Sequence, residues 1–74
     1  MADKVLDASG LRCPMPLLKT RLALRELKTG QQLEVLATDA GSARDIPAYL
    51  AQSSHQLLSV EESSNQYRFV IRCG

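Results

Sequence analysis

Aromatic residues are nearly missing from this 74-residue chain, which holds one Phe, two Tyr and no Trp. Its core must therefore be aliphatic, built mostly from Leu, Val, Ile and Ala. No apolar run approaches the roughly 18 residues that a transmembrane helix needs. Met1-Ala2-Asp3-Lys4 lacks the basic-then-apolar pattern of a signal peptide. The expectation is a cytoplasmic protein with no membrane partner. Excess charge is also absent: nine Lys+Arg against eight Asp+Glu leave a formal net charge of +1. That argues against nucleic acid as the primary partner, because phosphate binding draws on a basic face with clear excess charge. Weak or indirect contact stays open. The two cysteines, Cys13 and Cys73, are too few for a disulfide framework and form no CxxC pair. A reducing compartment with at least one free thiol is the simplest reading.

What is present is ordinary globular material, 45% hydrophobic and 23% charged. The length allows one domain, residues 1–74, near the lower limit for folding on a hydrophobic core alone. No repeat, low-complexity tract or linker interrupts it. Lys4 to Ala8 reads as a short strand and Ser9-Gly10 as the start of a loop. Pro14 to Lys28 has helical periodicity, stopped by Gly30. Gln32 to Thr38 alternates as a strand with Leu33, Val35 and Ala37 on one face. Asp39-Ala40-Gly41 reads as a turn, and Ser42 to Ser53 as a second helix in which Ser42 and Asp45 have capping-box spacing. Pro47 is expected in its first turn or so, since a proline deeper in would break it. Gln56 to Glu62 and Gln66 to Cys73 complete the strands, joined by the polar turn Glu62-Ser63-Ser64-Asn65. The order β-α-β-α-β-β with right-handed crossovers predicts an α/β fold: a two-layer sandwich of a four-stranded sheet with both helices on one face.

Phase along the first helix, at roughly 100° per residue, puts Leu17, Thr20, Leu24 and Leu27 on the stripe facing the sheet. Ala23 lies beside it and suits a close helix–helix contact. Met15, Leu18 and Leu22 fall on nearly the opposite side, next to a basic edge of Arg21, Arg25 and Lys28. An apolar ridge on the solvent side of a helix is a candidate docking surface; the alternative is that the second helix covers part of it.

The richest segment is Leu6-Asp7-Ala8-Ser9-Gly10-Leu11-Arg12-Cys13-Pro14-Met15-Pro16. With Pro14 at the first helical position, Cys13 becomes the N-cap. A thiol there meets the positive end of the helix dipole, which favours thiolate, and Arg12 adds positive charge. Pro14 and Pro16 carry no N–H, so the site is not a dense nest of amides, and a moderate lowering of the thiol pKa is expected. The prolines also fix the backbone that holds the sulfur. Such a thiol suits a group that both accepts and releases sulfur. The alternative is a small cap-like residue, although N-caps are usually Ser, Thr, Asp or Asn.

LDASGLRCPMP resembles the signature of the TusA/SirA/YedF family of small sulfur-carrier proteins, whose motif is Cys-Pro-x-Pro. The resemblance continues through Gly30, Leu33-Glu34-Val35, Thr38-Asp39 and Arg44-Asp45-Ile46-Pro47. It reaches the end through Ser54-His55-Gln56-Leu57-Leu58 and Tyr67-Arg68-Phe69-Val70-Ile71-Arg72. It is nearest the TusA branch, and implies a two-layer α/β sandwich with a mixed sheet, related in fold to the C-terminal domain of translation initiation factor 3. It implies a sulfurtransferase acting as a persulfide carrier, a relay protein rather than a full catalyst. Cys13 would take persulfide sulfur from a pyridoxal-phosphate cysteine desulfurase. It would pass it to a downstream relay protein, ending in 2-thiouridine at the tRNA wobble position, so that tRNA is met only indirectly. The carrier would hold no cofactor and no metal of its own and be monomeric when free. Relatives in sulfur oxidation, molybdenum-cofactor sulfuration or selenium metabolism leave the acceptor open. A non-catalytic regulatory or RNA-contacting module using Arg21, Arg25 and Lys28 would not need Cys13.

Around that motif, Arg12, Pro14 and Pro16 are supporting residues. Met15, Leu18, Leu22, Arg25 and Arg44 are candidates for partner binding. Asp39 should share an edge with Cys13, as a turn or capping residue or as a contact for a partner's basic group. Arg44 either orients a persulfide or partner, or is simply solvated. His55, between the second helix and third strand, belongs at the opposite edge in a structural turn. Cys73 shares parity with Phe69 and Ile71 and reads as a partly buried small residue. The strand direction implied by the family fold sets it far from Cys13, against dithiol redox chemistry.

Overall fold

Strict alternation is the strongest local signal in the chain, and the sheet obeys it. In the computed structural model, which describes residues 2–74, Leu33, Val35 and Ala37 are wholly buried, while Gln32, Glu34 and Leu36 face the open side. Met1, read above with Ala2–Lys4 for its lack of a leader pattern, lies outside the described residues. The elements are β1 (Lys4–Ala8), α1 (Met15–Glu26), β2 (Gln32–Ala37), α2 (Ala40–Ala51), β3 (Gln56–Ser63) and β4 (Gln66–Arg72). The four strands form one mixed sheet in the order β1-β2-β4-β3. β1 and β2 run parallel, and β4 runs antiparallel to both its neighbours.

Phe69 and Ile71 of β4 sit opposite Val35 and Leu33 of β2, and this patch is covered by Leu24 of α1 and by Ile46 and Leu50 of α2. Burying such side chains contributes about 1.5–3 kcal/mol each, and they form the core of the chain. The turn between β3 and β4 is a two-residue one, with Ser64 at φ 37° and Asn65 at φ 67°. Two successive positive φ values twist a hairpin the way its strands twist.

Boundaries differ from expectation for identifiable reasons. α1 starts at Met15, with Pro14 rather than Cys13 as its N-cap, and ends at Glu26 because Leu27 turns extended. Its buried face is Pro16, Thr20, Ala23 and Leu24. Ala23 is buried in the same cluster as Ile46 and Leu50 of α2 and also borders Lys4 and Leu6 of β1. Arg21 of α1 also reaches α2, its guanidinium 5.4 Å over the Tyr49 ring. α2 begins earlier than the capping-box spacing suggested. Asp39 is the N-cap, its side chain accepting from the Ser42 N–H, and Pro47 falls inside the helix. The helix survives Pro47 at the cost of one bond, the N–H that would have met the Ala43 carbonyl. β4 ends at Arg72, yet Cys73 continues the pairing: its N–H bonds to the Gln31 carbonyl at 2.7 Å and its carbonyl accepts from Gly30 at 2.8 Å. Among the described residues no helix is long and apolar enough to cross a membrane.

Candidate functional site

Both parallel strands end at the same edge of the sheet, and both are followed by a helix, so the two helix starts lie side by side there. The β1–α1 loop is pinned at that edge. Gly10, at φ 82°, allows a turn in which the Leu11 N–H reaches the Ala8 carbonyl at 3.2 Å. The Gly10 N–H itself donates to Thr38 Oγ1 at 2.9 Å, just past β2. The loop then delivers Arg12 and Cys13, both exposed.

Asp39 ties the two helix starts together. Its Oδ2 accepts the Ser42 N–H at 3.2 Å and the Ser42 hydroxyl at 3.4 Å, and also the Cys13 N–H at 3.2 Å. Asp39 therefore takes the capping role expected of it, with its Oδ2 shared between the two helix starts. The Cys13 thiol points the other way and donates from Sγ to Asp45 Oδ2 at 2.9 Å. Beneath it lies Gly41: a Cβ there would come within 2.9 Å of Asp39 Oδ2, 3.4 Å of Cys13 Cβ and 3.8 Å of Sγ. Glycine in the first turn of α2 is what leaves room for the Asp39 carboxylate that holds the Cys13 N–H.

This geometry reverses the expected direction of the Cys13 pKa. The hydrogen bond to Asp45 pushes the thiol above its ordinary value. Partial desolvation and the negative charges of Asp45 and Asp39 add to that, while Arg44 pulls the other way. The helix dipole does not prevail at the sulfur: Pro14 holds the N-cap, Pro16 has no N–H, and the Met15 N–H donates to the Arg12 carbonyl at 2.8 Å. With few free amides, α1 offers little positive potential, and two carboxylates prevail. At rest the sulfur is a protonated, hydrogen-bonded, exposed thiol.

Of the candidate residues, Arg12, Cys13, Pro14 and Arg44 gather at this edge. Arg44 is largely solvated, its side chain 86% exposed and only 3.7 Å from Asp45 Oδ1. Met15, Leu18 and Leu22 form an uncovered ridge along α1, 42%, 41% and 59% exposed. α2 does not shield it. Leu18, Leu22 and Arg25 join Arg21 and Tyr49 in lining a groove between the helices. Pro16 is buried under α1. At the opposite edge, His55 Nδ1 accepts the Gly74 N–H at 3.0 Å, and Cys73 is buried with its Sγ 3.5 Å from the Leu24 carbonyl. Both cysteines are free. Among the described residues no cluster of metal-binding side chains forms. Asp45 and Gly41 were missed as site residues. The signal for Asp45 lay in Arg44-Asp45-Ile46-Pro47, part of the family resemblance, while its spacing from Ser42 pointed only to a capping box; that for Gly41 lay only in three-dimensional proximity.

A small α/β sandwich presenting one exposed, proline-flanked thiol between two helix starts has the form of a carrier. The chain belongs to the TusA family of sulfur carriers, since the family model described as sulfurtransferase TusA matches residues 4–73. It is 45% identical over 73 residues to the putative sulfur carrier protein YrkI of Bacillus subtilis, covering 99% of this chain and 97% of that one. It is 40% identical over 70 residues to the sulfur carrier protein TusA of Allochromatium vinosum, covering 95% and 92%. The crystal structure of a SirA-like protein from Desulfitobacterium hafniense superposes with a TM-score of 0.82 at 25% identity, over 96% of this chain and 97% of the other.

Proposed function

We propose that Cys13 is the residue that bears the sulfur, and that it takes it as a persulfide from a pyridoxal-phosphate cysteine desulfurase and hands it to a downstream relay protein. The supporting observation is the placement of Cys13: its Sγ is at the surface, and its backbone N–H is fixed by Asp39 on a neighbouring helix. An exposed sulfur on a stiff support fits into the active site of a donor and then of an acceptor. The end product we assign is 2-thiouridine at the tRNA wobble position, with the tRNA met only by later members of the relay. Intact-protein mass spectrometry after incubation with a cysteine desulfurase and cysteine should show one added sulfur, removed by reductant and absent in Cys13→Ser. Retention of the added sulfur by Cys13→Ser would sink the assignment.

The partner-binding surface we propose is the ridge of Met15, Leu18 and Leu22 with Arg25 at its flank and Arg12 and Arg44 beside the thiol. It leads directly from Cys13 and is left bare by α2. Arg25→Glu should weaken desulfurase binding by about tenfold, the scale of one desolvated charge contact at an interface. Alkylation of Cys13 in the free protein should stay as in the parent. Unchanged affinity in a titration would move the docking surface elsewhere.

A further inference from the structure

We propose that Asp45 is a second catalytic residue of sulfur transfer: its carboxylate takes the Sγ proton of Cys13 as the new S–S bond forms and returns it to the donor's departing sulfur. The inference rests on Cys13 being the sulfur-bearing residue, as proposed above.

Four observations single out Asp45. Its Oδ2 is 2.9 Å from Sγ, in reach of the proton. Asp39, the other carboxylate at the site, meets Cys13 through the backbone: its Oδ2 accepts from Cys13 N, Ser42 N and Ser42 Oγ, whereas the thiol itself donates to Asp45. The imidazole of His55 lies at the far edge of the sheet, bonded to Gly74. Asp45 itself carries only a long, exposed contact to Arg44 at 3.7 Å, so no close cation neutralises it. The charged groups about the thiol are thus Asp39, Arg44 and Asp45 on or capping α2, and Arg12 on its own loop.

A proton acceptor matters because of what docking does. The two carboxylates keep Cys13 protonated, and a partner closing over it removes the water that would otherwise take the proton. The step then balances within the complex. Sγ bonds to the terminal sulfur of the donor's persulfide, and the donor's own S–S bond breaks. The bonding pair leaves on the donor cysteine sulfur, which receives the proton from Asp45. Donor persulfide and carrier thiol become donor thiol and carrier persulfide, with no external oxidant or reductant.

The test compares the full chain with Asp45→Asn and Asp45→Ala in two assays. One is iodoacetamide alkylation of Cys13 across pH in the free protein, where water is available as a proton acceptor. The other is single-turnover sulfur uptake from a persulfide-loaded cysteine desulfurase, read by intact mass. Removing the carboxylate should move the alkylation profile to lower pH, so that both variants alkylate faster than the parent at neutral pH. Uptake should fall by at least about tenfold, toward the low end of what general acid–base catalysis supplies. Opposite signs in the two assays are what a merely structural residue would not produce. Uptake that is unchanged or rises with alkylation would overturn the proposal, as would an unmoved alkylation profile in both variants. A parent chain that takes up no sulfur from the desulfurase would instead overturn the reading of Cys13 on which it rests.

Discussion

Phe69→Ala should destabilise the protein by about 3–5 kcal/mol, a large share of what holds it folded. The side chain is fully buried, sits between Val35 of β2 and Val60 of β3 across the sheet, and is the largest group in the core. Truncating a buried Phe costs about 3–5 kcal/mol, part lost transfer energy and part the cavity left behind. A domain of this length has in total about 4–11 kcal/mol of stability. The loss therefore takes between about a quarter and all of it. No second large aromatic lies close enough to refill the space, because the chain has one Phe and its two Tyr are only partly buried at the rim of the core. Urea unfolding followed by circular dichroism checks this. Val60→Ala, directly opposite Phe69 but 46% exposed, provides the comparison and should cost under about 1 kcal/mol. A Phe69→Ala chain as stable as Val60→Ala would mean the core has been misplaced.

Gly41→Ala should leave stability near that of the parent and cut sulfur uptake by at least about tenfold, the scale of a sub-ångström misplacement of a reacting group. Two effects on stability oppose each other. Alanine in place of glycine favours a helix by about 0.8–1 kcal/mol. The new methyl lies 2.9 Å from Asp39 Oδ2, and displacing that cap costs about 0.5–2 kcal/mol. Their near cancellation separates folding from function. The same displaced carboxylate releases the Cys13 N–H, and the methyl also lies 3.8 Å from the sulfur itself. The thiol thus loses the backbone anchor that Asp39 supplies. Thermal melts and single-turnover loading, measured on one preparation, check both halves. Parental uptake would show that the contact between Gly41 and Cys13 has no bearing on transfer.

Periodicity carried most of the fold. The alternation of Leu33-Val35-Ala37 and of Tyr67-Phe69-Ile71-Cys73 placed two central strands, and the spacing of Thr20 and Leu24 placed the buried stripe of α1. Those patterns are local, and burial acts on them directly. The exposure of Met15, Leu18 and Leu22 was legible for the same reason. Helix starts were less so, because Asp39, Ala40 and Gly41 read equally as turn or cap; the choice was made by Cys13, whose N–H shares the Asp39 carboxylate. Pro47 was placed too near the helix start because a single missing bond is tolerated where Ile46 and Leu50 hold the helix to the sheet. The direction of the thiol's pKa was not legible at all. It depends on a carboxylate 32 residues away in the chain, and no local rule couples those positions.

The burial of Cys73 keeps the second thiol of the chain away from the surface that presents Cys13. A persulfide is vulnerable to any thiol that reaches its inner sulfur: the attack expels hydrosulfide and leaves a disulfide in its place. A carrier with two neighbouring thiols would discharge itself in transit. Here Cys73 sits 4% exposed against the Leu24 and Leu27 carbonyls, and the six residues of β2 separate its edge of the sheet from that of Cys13 by about 20 Å. A persulfide on Cys13, as proposed above, would therefore lie out of reach of the chain's own second thiol and would keep its cargo until a partner docks.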